Sequence, residues 1–119
     1  MQVKIANKDY TLYFGWEFLD QINNKFGLKV EAEGQDINTR SAGLPFMQSG
    51  LSSYDPIALV KVIQAGTATE PQKPSLVNVR QFVEELLINK PKEYKEFVDE
   101  LSNEIKKEPM LKAMDKLNK

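Results

Sequence analysis

The chain has 119 residues, 41% hydrophobic and 28% charged, and its 16 Lys and Arg against 17 Asp and Glu give a formal net charge of −1. That length supports one domain with one core, and the charge balance lacks the basic excess with which nucleic-acid binders meet phosphate. With no cysteine and no histidine, there is no disulfide framework and no thiolate nucleophile, and the commonest general base and metal ligand are missing.

In chain order, Val3 and Ile5 alternate with polar residues, and Tyr10, Leu12 and Phe14 do so again beyond Asn7-Lys8-Asp9. This is the pattern of two short strands joined by a turn. A lone hairpin is marginal in water, so one face, with Leu12 on it, must pack on helices. From Gly15 the period becomes helical. Trp16, Leu19, Ile22 and Phe26, with Phe18 alongside, predict a helix from about Trp16 to Phe26. Gly27 is expected to end it, with Leu28 making the apolar contact that accompanies such an ending. Trp16 is expected to seal the hairpin against this helix.

Residues 29–40 hold Gly34, several acids and few large apolar side chains, and read as a loop with weak strand character at Val30 and Ile37. Over residues 41–51, Leu44, Phe46, Met47 and Leu51 are apolar. Pro45 and two glycines there argue for a short or broken helix, because proline inside a helix costs about 3 kcal/mol.

Residues 55–67 form the centre of the chain. Asp55 suits an N-cap and Pro56 the first helical position, where its missing N–H has no partner to lose. Gly66 is expected to end the helix in the left-handed conformation. Between these signals only Lys61 and Gln64 are polar, three apart on one narrow stripe. A helix apolar around most of its circumference belongs inside, against several neighbours.

After a polar linker at 67–74, Ser75 caps a helix whose apolar positions are Leu76, Val79, Phe82, Val83 and Leu86. Asn89-Lys90-Pro91 ends it and starts an amphipathic helix with the stripe Tyr94, Phe97, Val98, Leu101 and Ile105. Pro109 interrupts that helix. Met110, Leu111, Met114 and Leu117 then make a last short stripe, barely stable alone, which must dock on the body or on something else. The expected fold is mainly α with a short N-terminal β-hairpin (α+β), a small helical bundle of about five helices. It is expected to be a single domain over 1–119, with the hairpin at 1–14, a helical core at 15–88 and a C-terminal helical extension at 89–119.

The residues offer little chemistry. There is no phosphate-binding loop and no G-x-G-x-x-G. The serines at 41, 49, 52, 53, 75 and 102 have no histidine to activate them. Glu84/Glu85 and Asp99/Glu100 lie on polar faces beside lysines, without the burial that would separate their pKa values. No enzymatic activity, catalytic residue, cofactor or metal site is expected. No signal peptide and no membrane-spanning run is read, so the expectation is a cytosolic protein with no membrane partner. A helix-turn-helix around Pro91 is disfavoured because the exposed face beyond it mixes acids and lysines about equally. Function by surface remains. Met110 and Met114 bring adaptable thioethers, and the candidate partner or oligomer contacts are Tyr94, Phe97, Leu101, Met110, Leu111, Met114 and Leu117.

A short N-terminal hairpin leads into FGWEFLDQINNKFGL at 14–28, followed by DPIALVKVIQAGT at 55–67 and KPSLVNVRQFVEEL at 73–86. In these words, their order and their spacing, the chain resembles the tail assembly chaperones of long-tailed (siphovirus-type) bacteriophages of Gram-positive bacteria. From Asn89 on, the likeness is only one of helical, charged character. The resemblance implies a mostly helical protein made in the host cytoplasm and absent from the mature virion. It implies that the protein coats the tape measure protein and keeps it soluble until tail tube subunits polymerise around it. It also implies that a ribosomal frameshift can yield a longer form whose extension recruits the tail tube protein. Ile105-Lys106-Lys107 could be encoded by an A-rich slippery sequence. Self-association into a homo-oligomer is expected through apolar helix faces, since weak contacts repeated along one long ligand reinforce each other. No nucleic acid is expected as a partner. The alternatives are a minor structural tail or connector protein that stays in the particle and, behind it, a small DNA-binding regulator.

Overall fold

The chain opens with two four-residue strands, β1 (Gln2–Ile5) and β2 (Lys8–Thr11), paired antiparallel with Val3 opposite Tyr10. Ala6 and Asn7 between them have φ of 50° and 66°, the positive values that a two-residue type I′ turn requires. The alternation works as expected, with Val3, Ile5, Tyr10 and Leu12 all buried. The structure is a computed structural model and describes residues 1–26, 29–32, 35–38 and 43–117. The expected ending at Gly27 and Leu28 lies outside the described residues.

Helix α1 (Trp16–Phe26) forms where the periodicity placed it, but its buried face is Phe18 and Ile22. Trp16 is 81% exposed and does not seal the hairpin. Phe14 does so instead, meeting Phe18 edge to face at 5.1 Å between ring centroids. Two residues along a helix turn it by roughly 200°. With Phe18 committed inward beside Phe14, Trp16 must face away.

The expected loop after α1 contains a second antiparallel hairpin, β3 (Lys29–Ala32) with β4 (Gln35–Asn38), and Val30 stands opposite Ile37. Those two residues had given the only strand signal. Lys, Glu, Gln, Asp and Asn around them carry low strand propensity and hid the pairing.

Of the short or broken helix expected here, the structure has the short one: α2 (Gly43–Ser52) is a single unbroken element of 10 residues. Pro45 sits at its third position, within the first turn, where the N–H groups have no intrahelical acceptor. The helix buries Met47 and Leu51, and its glycines let it approach its neighbours closely. A Cβ on Gly43 would lie 2.7 Å from Asn23 Cα, and one on Gly50 would lie 2.6 Å from Ala58 Cβ.

Helix α3 (Pro56–Gly66) is central as its composition demanded, packing on α1, on α2 and on α4 (Leu76–Asn89). The Asp55 carboxylate accepts from the Ile57 N–H at 2.9 Å, an N-cap bond. Lys61 and Gln64, its polar stripe, tie down the end of α1. Lys61 Nζ donates to the Lys25 carbonyl at 3.1 Å and lies 5.0 Å from the Phe26 ring centre, and Lys25 Nζ donates to Gln64 Oε1 at 3.4 Å.

Gly66 is the last helical residue, and the chain leaves the helix through Thr67 at φ −96°. Buried Thr67 closes the end itself, its hydroxyl donating to the Ile63 carbonyl at 2.9 Å. Glycine at position 66 makes room for the hairpin, because a Cβ there would lie 3.0 Å from Leu12 Cδ2 and that side chain would have to give. The hairpin is thereby seated on α3, and the Tyr13 N–H donates to the Gly66 carbonyl at 2.9 Å.

Ser75 caps α4 through the Asn78 N–H at 3.1 Å. Helices α5 (Pro91–Lys106) and α6 (Pro109–Leu117) follow, giving six helices among the described residues where about five were expected. One apolar cluster runs from Val3 in the hairpin to Leu111 in α6. α5 packs on α4 and α2, and α6 on α5.

Candidate functional site

Four helices leave an open groove of about 1650 Å³ between them. From α1 come Trp16, Leu19 and Asn23, one helical turn apart, with Glu17 and Asp20 beside them. From α2 come Leu44, Met47 and Leu51, spaced three and four apart so that they share a face. The far side is Asp99, Asn103 and Lys106 of α5, then Leu111, Lys112, Met114 and Asp115 of α6. Of the apolar lining, Leu19, Leu44 and Met114 are half-buried while Met47, Leu51 and Leu111 are buried, and the charged residues Glu17, Asp20, Asp99, Lys106, Lys112 and Asp115 are all exposed. Trp16 is the sole tryptophan of the chain and stands almost fully exposed at the edge of the groove.

Tyr54 fixes one end. It joins α2 to α3 with φ 58°, a conformation uncommon for a bulky side chain. Its hydroxyl donates to Asp99 Oδ1 at 2.7 Å, and its carbonyl accepts from the Tyr94 hydroxyl at 2.9 Å. The two bonds tie the turn beneath the groove to α5. The hydrogen bond to Asp99, followed by burial and the aspartate charge, raises the Tyr54 pKa above its ordinary 10.0. Burial, then the negative charge of Asp55, raises that of Tyr94.

The contact residues expected from the sequence divide. Tyr94 and Leu101 are core residues, 2% and 0% exposed, and buried Leu111 anchors α6. Phe97 is half-buried, edge to face with Phe82 at 5.6 Å. Met110 and Met114 are half-buried and Leu117 is 84% exposed. Of the seven, the groove brings together only Leu111 and Met114. It adds residues that were not singled out as contacts: Trp16, Leu19, Leu44, Met47 and Leu51. The available signal was Trp16 itself, roughly 200° around the helix from Phe18.

Among the described residues no group of three or more Asp and Glu is placed to hold a metal ion. No described helix is long and apolar enough to cross a membrane. A family model described as "Phage tail assembly chaperone protein, TAC" matches residues 2–117. The chain belongs to the phage tail assembly chaperone family. Comparison of this chaperone with curated proteins and with solved structures gave no match. The family match takes in α5 and α6, and so every wall of the groove. The chaperone family is one of assembly factors, and tail proteins are its partners in general.

Proposed function

We propose that this tail assembly chaperone binds the tape measure protein, keeps it soluble, and promotes polymerisation of the tail tube around it. The observation that supports this most is the open groove, with apolar residues along its length and Trp16 exposed at its edge. Long helical proteins show apolar surface that drives aggregation. A protein that binds the dispersed form stabilises it by mass action. Many copies side by side on one long ligand can each bind weakly and still hold it, because linked sites raise effective concentration. Weak single contacts also let tube subunits displace the coat.

On this reading the chaperone acts in the host cytoplasm, associates with copies of itself, and is left out of the finished virion. A frameshifted longer form would carry the segment that recruits tail tube protein. Met110, Met114 and Leu117 keep exposed or half-exposed surface for such contacts, while Tyr94, Phe97, Leu101 and Leu111 hold the helices that carry them.

The test is co-expression with the tape measure protein of the same phage. The tape measure protein should become soluble and co-purify with the chaperone. Mass spectrometry of purified virions should find no chaperone, whereas stoichiometric recovery there would make it a structural tail component. Replacing Met114 and Leu117 together by Asp should reduce oligomer size.

A further inference from the structure

The two sides of the groove differ in charge. Along α1 the charged residues that line it are Glu17 and Asp20, both exposed. The one base of α1, Lys25, is turned to Gln64 on α3. Among the described residues neither carboxylate meets a lysine or arginine, and Glu17 accepts only from the Gln21 amide at 3.0 Å. On the far side Asp99 and Asp115 are balanced in number, though not ion-paired, by Lys106 and Lys112, and Asp99 already holds the Tyr54 hydroxyl. Among the described residues, the lining is therefore net negative on one side, next to Trp16, and neutral on the other.

The volume restricts what can lie there. A helix is 10–12 Å across with its side chains, so about 1650 Å³ corresponds to roughly three to four turns of helix. An apolar strip bordered by polar residues suits an amphipathic helix, which seats its own apolar stripe and leaves its flanks at the rim.

We propose that the groove takes a single amphipathic helix of three to four turns whose flank toward α1 carries Lys or Arg, an inference that rests on the groove being the holding surface. Its apolar stripe lies over Leu19, Leu44 and Met114, which keep part of their surface open, and its basic flank lies over Glu17 and Asp20. Opposite charges at a rim fix orientation and select partners more than they add affinity. The acidic side thus decides which face of a long helix is gripped and in what register.

The experiment titrates the full chain with three synthetic peptides of about 14 residues, close to four turns, that lack tryptophan. One carries Leu at i, i+3, i+4 and i+7 with Lys along one flank, the second has the same stripe with Glu in place of Lys, and the third is a scramble of the first. Trp16 is the only tryptophan, so its emission reports occupancy directly. The Lys-flanked peptide should shift the emission to the blue and bind about tenfold tighter than the Glu-flanked one at low salt, a preference that falls as salt screens it. Glu17→Lys with Asp20→Lys should reverse the order. The milder Glu17→Gln with Asp20→Asn should erase it while helical circular dichroism stays unchanged.

Equal binding of the two flanked peptides, or a scramble that binds as well, overturns the inference. So does a blue shift that grows with protein concentration alone, since a second copy would then be the occupant. If the peptides fail but co-expression still keeps the tape measure protein soluble, the groove assignment falls and the chaperone function stands. If the Lys-flanked peptide binds and co-expression fails, the groove preference stands and the tape measure reading falls.

Discussion

Moving a single methyl group across the α2–α3 contact should be felt through the whole domain. In Gly50→Ala the new Cβ lies 2.6 Å from Ala58 Cβ and 4.0 Å from Ala58 Cα, with nothing else within 4 Å. Alanine in place of glycine inside a helix gains about 1 kcal/mol. Overpacking a close contact costs about 1–3 kcal/mol. Ala58 is 2% exposed on a helix held on three sides, so it has little room to give. The expected net loss is therefore about 1–2 kcal/mol.

Ala58→Gly alone should lose about 1 kcal/mol of helix propensity and about 0.8 kcal/mol of methyl burial. In the double variant the methyl passes from α3 to α2, and its closest contact becomes the ordinary 4.0 Å to the residue 58 Cα. Propensities then cancel and the buried volume is conserved. The pair should be within about 0.5 kcal/mol of the parent protein, a coupling of about 3–4 kcal/mol. Urea unfolding followed by helical circular dichroism gives all four corners of the cycle. A Gly50→Ala protein at least as stable as the parent, or a double variant no better than its weaker single, would refute the close packing described for α2.

Trp16→Ala should change stability by no more than about 0.5 kcal/mol, as for other exposed sites, whereas Phe18→Ala should cost about 3–5 kcal/mol; thermal melts of the two separate them. The raised pKa values of Tyr54 and Tyr94 mean that their contribution is whole below the ordinary tyrosine value of 10.0 and is lost as pH rises through the folded-state values. Unfolding measured up the alkaline limb should therefore fall more steeply for the parent than for Tyr54→Phe with Tyr94→Phe. Asp55→Ala and Ser75→Ala should each cost about 1 kcal/mol through loss of the caps on α3 and α4, read from denaturation midpoints.

Elements that carry their own start and stop signals were legible from residues alone. The N-terminal hairpin had its alternation and turn, α3 had Asp55-Pro56 and a nearly unbroken apolar run, and α4 had Ser75. Rotation about a helix axis was less so. Aromatics at 14, 16 and 18 all compete for one space, and periodicity cannot say that Phe14 and Phe18 take it and Trp16 does not. Pro45 and Gly66 were legible only in part for a related reason. Proline's cost depends on where in the helix it falls, and Gly66 makes room for an approaching Leu12 side chain without adopting left-handed backbone angles. The groove was out of reach, because its walls run from Trp16 to Asp115 and meet only in the folded chain.

The tether of α6 has a mechanical consequence. The nine residues of this helix start at the break at Pro109, and they reach the core through buried Leu111 and half-buried Met114. Burying one leucine and part of a methionine is worth a few kcal/mol, about 1.5–3 for each side chain when fully buried, little against the cost of ordering a segment of that length. Amide exchange should accordingly appear in α6 before it appears in α3. If the groove holds a helix as proposed, an α6 that opens ahead of α3 would let that helix leave without the rest of the molecule having to melt.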